Sequence, residues 1–226
     1  MPRPYRPATL AALLLIAFAA GPAGAFDFHG HGHGREGSGD LETRSFALDD
    51  FDEIIIGGAF AVDVRLGDDQ DVAVTVDDNL WDLLEVTVDG GRLRIDWTDP
   101  VDPDDDCRIA ITARRLVAMG VSGAGEVRVH DFRGDEFAFK LSGAAELEMD
   151  GEVDRLVLQV SGAGDIDTRD LRAKHVKVRI SGAGNANITA TESLDAEVSG
   201  VGNIDYWGDP AEKHTRVSGL GDIDAH

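Results

Sequence analysis

Cysteine, aromatic residues and basic residues are all scarce in this sequence of 226 residues. The single cysteine, Cys107, excludes an intramolecular disulfide, and the acidic run before it would raise the pKa of its thiol, so we expect a structural role for it. Lysine and arginine number 21 against 43 aspartates and glutamates, which gives a formal charge of −22. A chain this acidic does not neutralise phosphates, so we expect neither a nucleic-acid partner nor binding to anionic membrane surfaces.

The sequence also lacks an apolar run long enough to cross a membrane. Its longest run, residues 8–20, has 13 residues, whereas a spanning helix needs about 20. The run follows Arg3 and Arg6 and precedes the small residues 23–25, an order typical of a secretory signal peptide. We therefore assign residues 1–25 to a signal peptide. The protein is expected to be exported, periplasmic or extracellular, and not inserted in a membrane after cleavage.

Residues 26–45 have the composition of a flexible linker rich in glycine and histidine. Glycine at every second position from Gly30 to Gly34 leaves no pattern for packing. The neutral imidazoles of His29, His31 and His33 would form at most a weak transition-metal site, because the flexible segment must be ordered on binding. A solvated linker is the favoured interpretation, and the metal site stays open beside it.

Glycine, by contrast, is abundant, with 27 residues, and many of these belong to an internal repeat. A motif Ser-Gly-x-Gly/Ala, followed by an acidic or amide residue, begins at six positions: Ser122, Ser142, Ser161, Ser181, Ser199 and Ser218. The successive intervals are 20, 19, 20, 18 and 19 residues. Apolar and polar residues alternate on both sides of each motif, which indicates strands with one buried face. The glycines are expected to supply positive φ angles at sharp corners.

Two all-β architectures fit such a unit. A meander of hairpins would place successive serines at opposite ends of a sheet, whereas a solenoid stacks each residue on its own copy in the next coil. The near-constant period favours stacking. We therefore predict that residues 46–226 form a single-stranded β-solenoid with coils of about 19 residues and a straight row of corner serines.

Outside the six motifs the pattern is looser but still β. Residues 54–66 repeat the order strand, glycine, strand without the serine, and residues 72–76, 85–88, 93–97 and 109–112 are further strand candidates. A short helical turn is predicted for residues 79–84, and a loop for residues 99–106. Lys213 and Thr215 replace apolar residues of the earlier repeats, so we expect the last coil to disfavour further stacking.

The serine–glycine corners, the isoleucine-rich strands and the segment Phe51-Asp-Glu-Ile-Ile-Ile56 resemble the head GIN domain family, which is named for auto-transporter adhesin heads. The resemblance covers about residues 46–226. It implies a right-handed β-helix and a protein exported by bacteria. The family motif carries no catalytic residues, so the resemblance implies none here.

Two rows of short polar side chains follow the glycines. The first is predicted to contain Glu126, Glu146, Asp165, Asn185, Asn203 and Asp222, and the second Asp167, Asn187, Asp205 and Asp224. Neighbours in a row would lie about 4.8 Å apart in stacked coils. Rows of oxygen atoms suit calcium, so Asp165, Asp167, Asp222 and Asp224 are candidate calcium ligands. The favoured alternative is that these side chains cap the tight corners by binding backbone amides.

We expect no catalytic residues and no cofactor other than calcium. Six equivalent serines indicate a structural ladder rather than one nucleophile, and His130, His175 and His214 fall in different registers of the repeat. The predicted function is an exported, non-enzymatic β-helix, adhesin-like or interacting with the cell envelope, whose partner is an unidentified envelope glycan or protein. The sequence does not determine its oligomeric state. The alternative is a carbohydrate-active β-helix enzyme, a polysaccharide lyase or hydrolase, with paired carboxylates on adjacent coils.

Overall fold

The computed structural model describes residues 34–104 and 106–226. The predicted signal peptide and the three linker histidines, His29, His31 and His33, lie outside the described residues. Within the described ranges, no helix has the length and hydropathy that crossing a bilayer requires. One short 3-10 helix, Asp78–Leu83, confirms the predicted helical turn.

Seventeen strands make up the rest of the regular structure in the described ranges. In chain order they are β1 (Arg35–Glu36), β2 (Leu41–Ser45), β3 (Glu53–Ile56), β4 (Ala59–Leu66), β5 (Asp71–Asp77), β6 (Leu84–Asp89), β7 (Arg92–Trp97), β8 (Val101–Asp102), β9 (Arg108–Ala113), β10 (Ala118–Val121), β11 (Ala124–Leu141), β12 (Ala144–Val160), β13 (Ala163–Ile180), β14 (Ala183–Val198), β15 (Ile204–Trp207), β16 (Glu212–Val217) and β17 (Ile223–Ala225). All the upstream strand candidates are confirmed, and the predicted loop contains only the two-residue strand β8.

The long strands β11 to β14 are successive coils of a β-solenoid. Each pairs in parallel with the next, in a register that places Ala124 on Ala144 and Leu141 on Val160. The strands bend in the middle, where the register shifts at β-bulges. Because a meander would pair consecutive strands antiparallel, the parallel pairing confirms the predicted solenoid.

At the N-terminal end of the stack the coils do not follow chain order. Strands β10 and β11 rest on β3 and β4, and these in turn rest on β7 and β9, which come later in the chain. Strand β6 then covers β7, and β5 covers β9, both antiparallel. The antiparallel pair closes this end of the parallel stack.

The prediction of a flexible linker through residue 45 is wrong for its last residues. Strand β2 pairs antiparallel with β5 over Leu41–Ser45, and the hydroxyls of Thr43 and Thr75 lie 2.7 Å apart. Strand β1 pairs in parallel with β8. The edge of β5 that faces away from β9 provides the backbone partners for β2, a long-range contact that local composition does not indicate.

The interior consists of columns in which one position of the repeat stacks on itself. The column before the corner is Val121, Leu141, Val160, Ile180 and Val198, each at most 3% exposed. The bend in the middle of each long strand is the second corner of the coil. In β11 the rings of Phe132 and Phe137 pack there, with their centroids 5.2 Å apart. Lys213 and Thr215 of β16 are in register with buried Leu194 and Ala196 but are themselves exposed.

The corner glycines are required for two reasons, of which only one was predicted: Gly125, Gly202 and Gly221 have the predicted positive φ angles. The first glycine of each motif has no φ in the left-handed region, so the prediction of positive φ is wrong there. A Cβ at any of them would lie 1.5–1.9 Å from a carbonyl oxygen of the neighbouring coil. These are Gly123, Gly143, Gly162, Gly182, Gly200 and Gly219. Close stacking of backbone on backbone therefore excludes a side chain.

The corner serines form the predicted straight row. The hydroxyl of Ser161 donates to the carbonyl of Leu141 at 3.1 Å, and that of Ser181 donates to the carbonyl of Val160 at 3.3 Å. Ser122, Ser142 and Ser199 make the same contact with the preceding coil at 3.4–3.5 Å. The row is a structural ladder between coils.

Candidate functional site: the acidic face

The side chains that point outward after each corner form one continuous surface, the acidic face. Its first row is Glu126, Glu146, Asp165, Asn185, Asn203 and Asp222, and its second row is Arg128, Glu148, Asp167, Asn187, Asp205 and Asp224. Beside them runs a column of apolar residues, which are alanines in the first four coils and larger in the last two: Ala124, Ala144, Ala163, Ala183, Val201 and Leu220. The in-register rows confirm the predicted alignment, and the second row extends further than predicted.

The amides in the first row join consecutive coils. The carboxylate of Asp165 accepts bonds from the side-chain and backbone nitrogens of Asn185, at 2.8 and 3.2 Å. Asn185 Oδ1 then accepts from the backbone N–H of Asn203, and Asn203 Oδ1 from that of Asp222. Each side chain therefore caps a backbone amide of the next coil. This arrangement supports the corner-capping interpretation for these residues.

Arginines neutralise part of the second row. The guanidinium of Arg169 binds Asp167, with Nη2 and Oδ2 2.5 Å apart, and this hydrogen bond lowers the pKa of the Asp167 carboxyl. Arg128 lies between Glu126 and Glu148. Glu146, between two acidic neighbours in its row, has no such cation among the contacts within the described residues. The charge of Glu146 is therefore not compensated by an ion pair among the described contacts.

The four candidate calcium ligands do not converge on one point. Asp165 and Asp167 lie on β13, while Asp222 and Asp224 lie three coils further along, about 14 Å away at the usual strand spacing. Across residues 34–104 and 106–226, no group of three or more His, Cys, Asp or Glu side chains is arranged to hold a metal ion. Calcium bound by either pair of aspartates stays a prediction.

An open groove of about 850 Å³ lies over the acidic face near its N-terminal end. Its floor is made by small residues of four stacked coils, including Ala59, Ala144 and Ala163. The loop before β9 forms its wall with Pro103 and Asp104. Glu126, Glu146 and Asp165 of the stacked coils, together with Asp104 and Asp106 of the loop, make the lining acidic.

The wall is fixed by a buried carboxylate that the sequence analysis missed. Asp77, at the end of β5, is fully buried; it accepts hydrogen bonds from the backbone N–H groups of Gly39 at 2.8 Å and Asp104 at 3.3 Å. Burial raises the pKa of the nearby Cys107 thiol to about 11, with further contributions from Asp77 and Asp106. This thiol is a poor nucleophile, as its predicted structural role requires.

His130, His175 and His214 lie in different columns, as predicted, and the side chains of the first two contact a neighbouring coil. Nε2 of His130 lies 3.1 Å from an Asp63 carboxylate oxygen, and Nδ1 of His175 lies 2.9 Å from the hydroxyl of Ser193. Five corner serines bind backbone carbonyls through their hydroxyls and do not bind histidines: Ser122, Ser142, Ser161, Ser181 and Ser199. The arrangement gives these five serines no general base.

Added salt is expected to stabilise the fold, and more strongly when the charge of the first row is increased. Asn185→Asp would place a carboxylate against Asp165 and remove the donor that joins them, so we expect a melting temperature several degrees lower at low ionic strength. Thermal denaturation at 20 mM and 1 M NaCl measures both effects. The difference between variant and parent should shrink at high salt.

The same melting experiment is repeated with calcium. If the candidate aspartate pairs bind calcium, it should stabilise the fold more than sodium does at equal ionic strength. Asn187→Ala, next to the ladder, controls for the loss of an amide without added charge. Melting temperatures of parent and variant that are unchanged by both salt and calcium would contradict the prediction.

Comparison with known proteins identifies a family that has this repeat. A family model described as "Putative auto-transporter adhesin, head GIN domain" matches residues 50–210. A search of curated proteins finds no match.

Solved structures show the same fold. A putative adhesin from Bacteroides fragilis is 24% identical with a TM-score of 0.73, and the alignment covers 85% of this chain and all of that one. A putative adhesin from Parabacteroides distasonis is 22% identical with a TM-score of 0.57, over 85% of this chain and 99% of that one. A putative lipid binding protein from the same species is 25% identical with a TM-score of 0.50, over 84% and 98%.

Proposed function

The chain belongs to the head GIN domain family, and from that membership we propose that it is an exported, non-enzymatic adhesin-like module that binds a component of the bacterial cell envelope through its acidic face. The observation that supports this most strongly is the acidic face itself. It is a flat, regular surface in which carboxylates and amides recur at each coil, beside a column of small residues. A repeating surface suits a polymeric or extended partner.

The signal peptide predicted for residues 1–25 supports export. The contacts within the face support a binding role over catalysis. Asp165 is bonded to Asn185, and Asp167 to Arg169, so both are occupied in holding adjacent residues. A glycosidase needs one carboxyl group with a raised pKa beside an ionised one, whereas the pKa of Asp167 is lowered.

The test is binding to a panel of envelope glycans and envelope proteins, with and without calcium. The informative variant is Glu146→Lys with Glu148→Lys, which reverses two exposed charges on the acidic face. Its control is Asp135→Lys with Glu152→Lys, which makes the same charge change at exposed positions of the second corner. We expect at least a tenfold loss of binding in the first variant only.

Two outcomes would contradict the proposal. Equal losses in both variants would show that net charge, not the acidic face, controls binding. Release of sugar products from any glycan of the panel by the purified protein would favour the carbohydrate-active alternative.

A further inference from the structure

The groove at the N-terminal end of the acidic face is bordered by a loop, whereas a smaller concavity further along the face is lined only by residues of the stacked coils. The loop before β9 lines the groove next to the coil that contains β4, because Cys107 and Arg108 lead directly into β9, the strand that pairs with β4. Three intervals between the four floor coils give a length of about 14 Å. The groove is therefore an elongated site with one wall, running across the strands.

The floor of the groove is apolar and carries no large exposed side chain. Ala59, Ala144 and Ala163 are exposed but end at Cβ, so the floor is nearly flat. Further along the same column, Val201 and Leu220 are 54% and 73% exposed. The backbone of this column thus accommodates larger side chains, and alanine at the groove leaves space above it.

The described residues that line the groove carry charge of one sign, and Arg128 pairs with one of them, Glu126, from outside the lining. Among the described residues, five carboxylates line the groove, Asp104 and Asp106 from the loop and Glu126, Glu146 and Asp165 from the stacked coils, whereas no lysine, arginine or histidine does. An occupant that pairs with these carboxylates must therefore carry several positive charges along an extended apolar backbone. Lysine or arginine side chains that recur along an extended peptide do so.

An amine-bearing sugar polymer fits the groove less well. Sugar sites commonly provide an exposed aromatic face, and the single aromatic residue in the lining, Phe60, is 3% exposed and stacked on Trp97 at 5.4 Å. The long stems of lysine and arginine, by contrast, pack on apolar surface while their charged ends reach a polar rim.

We propose that this groove binds an extended, lysine- or arginine-rich segment of a partner protein. The inference rests on the proposed binding function and names the partner chemistry for one part of the acidic face. The apolar floor would contact the peptide backbone and side-chain stems, and the five carboxylates of the lining would bind the cationic ends. Affinity should fall steeply with salt, because the paired charges are only partly buried.

The experiment measures binding of fluorescein-labelled octalysine by anisotropy at 50 mM salt. Ala163→Leu fills the groove, and Glu146→Gln with Asp106→Asn removes one charge from the stacked coils and one from the loop. Each is expected to weaken binding at least tenfold. The matched controls are Ala183→Leu, in the same column beyond the groove, and Asp222→Asn with Asp224→Asn, which removes two charges elsewhere on the acidic face. Both controls should stay within threefold of the parent.

Each outcome decides the inference. Equal weakening by the groove variants and their controls would show attraction to the acidic surface in general and overturn it. Absence of octalysine binding, or tighter binding of glucosamine oligomers than of octalysine, would overturn the peptide as occupant. Neither result decides the proposed function, which is tested separately. If envelope binding is lost in the variant Glu146→Lys with Glu148→Lys, that loss still supports a binding role for the acidic face.

Discussion

Gly162→Val is expected to lower the free energy of unfolding by at least about 3 kcal/mol. The ideal Cβ at this position lies 1.8 Å from the carbonyl oxygen of Gly143, so the two coils must separate to admit any side chain. Separation would also strain the hydrogen bond from Ala163 N–H to the carbonyl of Gly143, which is 2.9 Å long. For a chain of this length, 3 kcal/mol corresponds to a fall in melting temperature of roughly 6–12 °C.

Two substitutions separate this effect from simpler ones. Ser161→Ala, one residue earlier, removes one hydroxyl bond to the carbonyl of Leu141 and should cost about 1 kcal/mol. Gly90→Asn tests a glycine with φ of +57° whose Cβ position has no neighbour within 4 Å. Because asparagine tolerates that φ, we expect only a small loss of stability. Denaturant unfolding measures all three. Equal losses for Gly162→Val and Ser161→Ala would contradict the stacking argument.

The repeat made most of the solenoid predictable because each position of its period keeps one chemical class. The repeat predicts an interior column from the sequence alone, at Val121, Leu141 and Val160. It predicts the outer rows of serines and acidic residues in the same way. The glycine columns were located correctly, but the predicted positive φ holds only for second glycines of the motif, Gly125, Gly202 and Gly221, and not for the first glycines. Composition alone does not distinguish a corner that needs positive φ from one where the next coil leaves no room for Cβ.

The order of the coils before residue 114 was not predictable from the pattern. Residues 53–113 contain no Ser-Gly-x-Gly motif, and the insertion of β7 and β9 beneath β3 and β4 depends on the antiparallel pairing of β6 with β7. The groove has the same origin. Its loop was predicted as a loop, but the loop's place beside the alanine column follows only from the pairing of β9 with β4.

The role of Asp77 was also not predictable from the sequence, because nothing in its neighbouring residues distinguishes it among the 43 acidic residues. Its carboxylate is buried and joins two segments that are remote in sequence, through Gly39 N–H and Asp104 N–H. Gly37 also packs on it: a Cβ there would lie 2.5 Å from Asp77 Oδ2. A buried carboxylate held by backbone donors is thus the link between the N-terminal segment and the wall of the groove.

Asp77→Ala is accordingly expected to destabilise the fold by about 3 kcal/mol, because two backbone N–H groups lose a charged acceptor in a partly buried setting. Asp78→Ala is the matched control. Asp78 is the next residue, is exposed, and binds only the hydroxyl of Ser38 at 2.6 Å, so its loss should cost less than about 1 kcal/mol. Urea unfolding of the two variants measures the difference.

A second measurement shows whether the wall itself loosens. Burial raises the pKa of Cys107 to about 11, and the negative charge of Asp77 adds to that shift, so the parent thiol should react slowly with iodoacetamide at pH 8. Removing the Asp77 charge lowers this pKa, and release of Asp104 from Asp77 exposes the thiol, so Asp77→Ala should react at least tenfold faster. Asp77→Asn keeps an acceptor oxygen and removes the charge, which separates the electrostatic effect from the opening of the wall. If Asp77→Ala and Asp78→Ala react at the same rate as the parent, Asp77 does not hold the wall in place.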